Sequence, residues 1–178
     1  MFNADNEHLE LLFEFGLGRD AKGPWHRLLG SAVPSPTQML QDQLRWACAH
    51  DMGARVELLL AHGVDPDAPD TQLFFGATSP YELAMLAGNT DTAELLVSAG
   101  ARRATLDDAQ AVVARCMSAS PAATFDRPDA AVLAAAIATD PEAPIRAARL
   151  GRGDAVQRLA DHLAAAVAKD PGAGGRRA

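Results

Sequence analysis

Three stretches of this 178-residue chain share one pattern of apolar and polar positions. They are Leu9–Leu17 (LELLFEFGL), Val56–Val64 (VELLLAHGV) and Ala93–Ala101 (AELLVSAGA). In each, an apolar residue is followed by Glu, a paired apolar step and a Gly at the eighth place. The spacing from Glu10 to Glu57 is 47 residues, and from Glu57 to Glu94 it is 37. Apolar residues at successive and i+3/i+4 positions make one helical face, and the Gly supplies the left-handed residue that ends a helix. A second match lies upstream. LRWACAHDMG (Leu44–Gly53) aligns with YELAMLAGNT (Tyr81–Thr90) at the same spacing of 37, pairing Leu44 with Tyr81 and small Ala47 with small Ala84. Each unit thus reads as a short helix, a tight turn, a second short helix, then Gly and an extended loop.

Helix starts carry their own chemistry. Ser79-Pro80-Tyr81-Glu82 and Ser35-Pro36-Thr37-Gln38 both have the capping-box spacing with Pro at the first helical position. Thr105-Leu106-Asp107-Asp108 reads as a third start of this kind. Further helices are expected over Asp107–Ala119 and Ala130–Ala138, and AARLGRGDAVQRL (Ala147–Leu159) repeats the unit, with Gly151 and Asp154 matching Gly88 and Asp91.

These motifs resemble the ankyrin repeat, whose unit spans about 33 residues with a T-P-L-H-x-A signature. Ser79-Pro80-Tyr81-Glu82-Leu83-Ala84 matches it in Pro80 and Ala84. GNTDTAELLVSAGA (Gly88–Ala101) is similar to the second half of that unit, and GVDPDAPD (Gly63–Asp70) to its turn. The resemblance implies an all-α, helix-turn-helix solenoid with short hairpin-like fingers. It implies a single domain over 1–168, with a half repeat at 7–18, clear repeats over about 35–101 and degenerate repeats over about 102–166. The tail Lys169–Ala178 (KDPGAGGRRA) has no large apolar side chain to bury and is expected to be disordered. Two spacings depart from the family period of about 33. They place a short insertion in the finger near Thr71–Phe75 and a longer one within Leu17–Gln43, which carries Trp25, Leu28 and Leu29. The N-terminal helix is apolar over much of its circumference and needs covering, either by the Trp25–Leu29 insert or by more of a longer array.

Composition narrows the function. Hydrophobic residues make up 48% of the chain and aromatics only 5%, which favours helices packed through small residues over a β-sandwich. A net charge of -7 opposes general nucleic-acid binding, which needs an excess of Lys and Arg. The two cysteines, Cys48 and Cys116, sit in apolar helical patterns and read as reduced thiols of a cytoplasmic protein. The first residues lack the charged and apolar regions of a signal peptide, and no apolar run is long enough for a membrane span.

Candidate chemistry is sparse. The five histidines show no metal-ligand spacing, with His50 and His62 expected at helix ends on the surface. Asp65, Asp67 and Asp70 lack the Gly and Glu of a calcium loop and read as turn residues that bond their own backbone. No nucleophile elbow, phosphate loop or dinucleotide fingerprint occurs. The resemblance therefore implies a non-catalytic, monomeric protein-interaction scaffold, with no cofactor and no metal, that presents concave helices and fingers to a partner protein. The alternatives are a regulatory fragment of a larger ankyrin-containing protein and an α-helical enzyme without a recognisable motif. Candidate partner-binding residues are Arg45 and Glu82 on the first helices, and Gln72, Leu73, Phe74 and Phe75 in the inserted finger. The aromatic pair either covers the neighbouring finger or anchors the partner. Replacing both Phe74 and Phe75 with Ser separates these roles: a large fall in melting temperature marks packing, and unchanged stability with lost binding marks an anchor.

Overall fold

The computed structural model describes residues 5–18, 28–30, 34–67, 78–118, 130–139 and 143–169, and these form nine α-helices and no strand. In chain order they are α1 (Glu7–Glu14), α2 (Pro36–Ala49), α3 (Gly53–Ala61), α4 (Pro80–Leu86), α5 (Thr90–Ser98), α6 (Asp108–Ser118), α7 (Ala130–Thr139), α8 (Ala143–Arg149) and α9 (Gly153–Lys169). The protein is all-α over this range.

Capping boxes set the starts. At α2 the Gln38 N–H donates to Ser35 Oγ at 3.2 Å, and the Ser35 N–H donates to Gln38 Oε1 at 2.8 Å. At α4 the Glu82 N–H donates to Ser79 Oγ at 3.2 Å, and the Ser79 N–H donates to Glu82 Oε2 at 2.7 Å. The third start falls two residues past Thr105. Asp107 caps α6 through the Gln110 N–H at 2.7 Å, and its own N–H donates to Gln110 Oε1 at 3.0 Å. The reciprocal bond needs a long side chain three residues into the helix, and Gln110 reaches where the shorter Asp108 would not.

The helix ends repeat with the same regularity. At the close of α1, α3 and α5 the left-handed residues are Gly16, Gly63 and Gly100, with φ of 91°, 78° and 100°. The next amide in each case bonds five residues back: Leu17 to the Leu12 carbonyl at 2.8 Å, Val64 to Leu59 at 3.1 Å, and Ala101 to Leu96 at 2.9 Å. The glycine amides bond to Phe13, Leu60 and Val97, each at 3.0 Å. This paired closure satisfies carbonyls that a helix end otherwise leaves open.

Three helix pairs turn in three residues each. The pairs are α2–α3, α4–α5 and α8–α9, and the middle turn residue is left-handed every time: Asp51 (φ 56°), Gly88 (φ 74°) and Gly151 (φ 68°). Four residues before each of these stands Ala47, Ala84 or Ala147, fully buried, where a methyl lets the helices approach. Leu59, Leu96 and Leu159 hold matching positions on the second helices and are also fully buried. Leu58 and Leu95, their neighbours in the paired apolar step, are only partly buried.

Contacts divide the chain into two compact units, the first comprising Met1–Ala84 with Asp91–Ala104, and the second Met85–Thr90 with Thr105–Ala178. In the first, α2 packs on α3 over Leu44, Ala47, Val56 and Leu59. The loop after α3 is held to the one after α5, because the Asp67 carboxylate accepts the Arg102 N–H and Nε at 3.1 Å. Asp65 Oδ1 accepts the Asp67 N–H at 2.8 Å, the turn chemistry expected of this acidic loop. Leu28 and Leu29 are exposed, whereas Trp25 and the tail beyond Lys169 lie outside the described residues.

In the second unit α9 packs on α6, α7 and α8 around Val113, Cys116, Met117, Ala136 and Leu159. Two arginines close the C-terminal end of α6. Arg152 Nη1 donates to the Met117 carbonyl at 3.0 Å, and its Nη2 to Asn89 Oδ1 at 2.5 Å. Arg158 Nε and Nη2 donate to the Cys116 carbonyl at 3.1 and 3.0 Å, while Arg158 Nη1 pairs with Asp154 at 2.9 Å.

Gly88 sits beneath this arrangement. A Cβ there would lie 2.6 Å from the Met117 carbonyl oxygen and collide with the Arg152 guanidinium, whereas one at Gly100 would meet nothing within 4 Å. Both positions have the positive φ that costs an L-residue roughly 1–2 kcal/mol. Gly100→Ala should therefore lower stability by about that amount alone. Gly88→Ala should cost clearly more, as read from denaturant midpoints; equal losses at the two sites would contradict the packing.

Candidate functional site

The sequence-derived binding residues fall in unlike places. Arg45 is 1% exposed and belongs to the interior of the first unit, not to an open helix face. Position 45 directly follows Leu44 and lies three residues from Cys48, both fully buried, so its register is the core register of α2. Glu82 is half-buried, and its carboxylate is engaged with the Ser79 backbone as a helix cap. Gln72, Leu73, Phe74 and Phe75 lie outside the described residues.

The first unit does assemble side chains that belong to no recognised motif. At the α2–α3 turn, the Trp46 and His50 rings stack with centroids 4.3 Å apart, and His50 Nδ1 lies 2.8 Å from the Trp46 carbonyl. The Arg55 guanidinium stands 5.9 Å from the Trp46 ring centroid, within cation–π range. Arg55 Nε donates to Asn6 Oδ1 at 3.0 Å, and Nη2 donates to the Asp5 carbonyl at 2.8 Å. A 1%-exposed arginine thus ties α3 to the residues that lead into α1. Burial lowers its pKa, and the Asp5 charge offsets part of that effect. The signal for it was an alignment: Arg55 occupies the register that holds Thr92 in α5 and Ala155 in α9.

A second assembly lies where α1 ends. Phe13 is buried and stacks on exposed His62, with centroids 3.8 Å apart and planes 1° from parallel. Beside them is a cavity of about 380 Å³ whose lining includes Phe13, Leu40, Gln41, His62, Val64 and Asp65. Leu9 and Phe13 face inward on α1, while Leu11, Leu12 and Phe15 stay 53%, 40% and 84% exposed. Among the described residues, the covering that the sequence demands for this helix is present on the Leu9 and Phe13 side and does not extend over Leu11, Leu12 and Phe15.

Neither thiol is placed for chemistry. Cys48 and Cys116 are free and buried. Burial pushes the Cys48 thiol from the ordinary 9.0 up to about 12, with the Arg45 charge opposing, and burial raises Cys116 in the same direction. Both are protonated at neutral pH and so are poor nucleophiles. Among the described residues, no three His, Cys, Asp or Glu side chains converge so as to hold a metal ion, and no helix is long and apolar enough to cross a membrane. No protein-family model, curated protein sequence or solved structure matches the chain.

The raised Cys48 pKa fixes the sign of a stability effect. The folded state holds this proton more tightly than the unfolded state does, so the contribution is complete below about pH 9 and is lost as pH rises towards 12. Unfolding free energy should fall by up to about 1.4 kcal/mol per pH unit from this thiol in that window. Cys48→Ala should flatten the slope in urea titrations between those pH values. An unchanged slope would place the thiol in water.

Proposed function

We propose that this chain is an ankyrin-type repeat module acting as a non-catalytic protein-interaction scaffold. The observation that carries the reading is the register of its helix ends. Gly16, Gly63 and Gly100 close three helices with the same pair of hydrogen bonds, and Asp51, Gly88 and Gly151 turn three helix pairs in three residues each. Such repetition of a helix–turn–helix unit supports a solenoid in which each repeat is a copy of one supersecondary element. The functional reading follows from rigidity. Helices of seven to seventeen residues, several of them closed by capping bonds, offer a surface whose ordering costs little on binding. The exposed apolar side chains of α1 give a partner something to bury. Two buried, unbridged thiols fit a reducing compartment.

The test is retention of partner proteins by the immobilised full chain, compared with the Leu11→Glu/Phe15→Glu double variant and with Leu96→Ala. Leu96 is fully buried, so its truncation should cost about 2–5 kcal/mol and abolish retention through unfolding. The double variant should keep its melting temperature. A chain that retains no protein in its folded, unaltered form would overturn the scaffold reading.

A further inference from the structure

α1 presents three distinct sides. Successive residues turn by about 100°, so Leu9 and Phe13 share the inward side. Glu7, Glu10 and Glu14 fall within about 60° of one another on a second side, and all three are exposed. Leu11, Phe15 and Leu12 span about 100° on the third, with half-buried His8 among them. The helix contains no Lys or Arg, and Asp5 directly precedes its cap residue Asn6. An exposed apolar stripe therefore runs alongside an unbroken acidic row. The scaffold is firm beneath it, since Phe13 stacks on His62 and Arg55 fastens Asn6 and the Asp5 carbonyl.

We infer that this face of α1 docks an amphipathic helix of a partner protein, one whose apolar stripe is flanked by Lys or Arg. The inference rests on the scaffold reading and names the partner's chemistry. Charge decides the occupant. A second copy of the chain would bring one row of glutamates against another, and like charges across an interface select against pairing. An anionic membrane meets the same objection. The chain's own Arg176–Arg177 segment is basic, but KDPGAGGRRA has no large apolar side chain to cover Leu11 or Phe15. A basic amphipathic helix satisfies both demands: apolar anchors at i, i+3, i+4 and i+7 on the stripe, and cations over the glutamate row.

The probe is a displayed library of 18-residue helical peptides with a fixed Leu stripe and flanks varied among Lys, Glu and Gln, panned against the full chain. Lys should be enriched at least tenfold over Glu in the flank facing the acidic row. Selected peptides should lose at least tenfold in affinity on Leu11→Glu/Phe15→Glu, weaken as salt rises, and switch preference to Glu flanks on Glu7→Lys/Glu10→Lys/Glu14→Lys. Circular dichroism should show both variants folded, because every altered side chain is exposed. Absence of flank selection, or binders indifferent to the double variant, overturns the inference. Self-association abolished by Phe15→Glu would assign the face to a second copy, and binding to anionic vesicles would assign it to a membrane; each result overturns the partner-helix assignment. Proteins retained equally by the chain and the double variant would leave the scaffold reading standing while this one falls.

Discussion

A helix of seven to nine residues leaves as many backbone groups unpaired at its ends as it pairs within, because four N–H and four C=O groups are orphaned at the two termini. Four of the first five helices are of this length, so the fold depends on how those ends are closed. Serine or aspartate boxes satisfy amides at the starts of α2, α4 and α6. Left-handed residues direct later amides back to the carbonyls at the ends of α1, α3 and α5. With termini closed locally, small interior residues such as Ala47 and Ala147 can face neighbouring helices without leaving polar groups dry. Packing follows capping here, since helices this short have little stability of their own.

Where local closure gives out, guanidinium groups take over. Arg152 and Arg158 satisfy the Met117 and Cys116 carbonyls at the end of α6, a helix with no glycine in its last turn. Arg55 does the related task ahead of α1, reaching a side-chain amide and a backbone carbonyl at once. The planar fork suits this role, presenting several donors in fixed directions to acceptors on different residues. All three residues are buried or half-buried, so their charges are held by carbonyl and amide oxygens and, for Arg158, by Asp154.

Much of this was legible in the sequence because glycine and the capping pairs act over four or five residues. The Gly16, Gly63 and Gly100 closures and the Ser35 and Ser79 boxes need nothing from distant chain. Thr105 has the residue type of a cap, but Asp108 is too short to return the bond, and Asp107 with Gln110 caps the helix instead. The ankyrin resemblance implies a concave binding face for Arg45 on the first helix of its repeat, yet its register on α2 is a core register, and register decides. Arg55 and Arg152 were missed for a different reason. Their partners are 49 and 63 residues away, and no local rule connects residues that only the tertiary fold brings together. The cavity beside Phe13 and the exposed stripe of α1 needed the burial of each helix face, which periodicity alone leaves undivided.

The two arginines at the end of α6 also impose an order in time. Their acceptors, Met117 and Cys116, precede them by 35 and 42 residues. During synthesis α6 leaves the ribosome with these carbonyls turned to water, and Gly88 has already made room for a side chain that does not yet exist. The turn at 85–90 and the end of α6 stay unfinished until Arg152 and, on α9, Arg158 arrive to complete them. A nascent chain lacking α9 is thus a substrate for chaperones and proteases in its second unit, whereas α2 and α3, closed by their own neighbours, have no such interval of exposure.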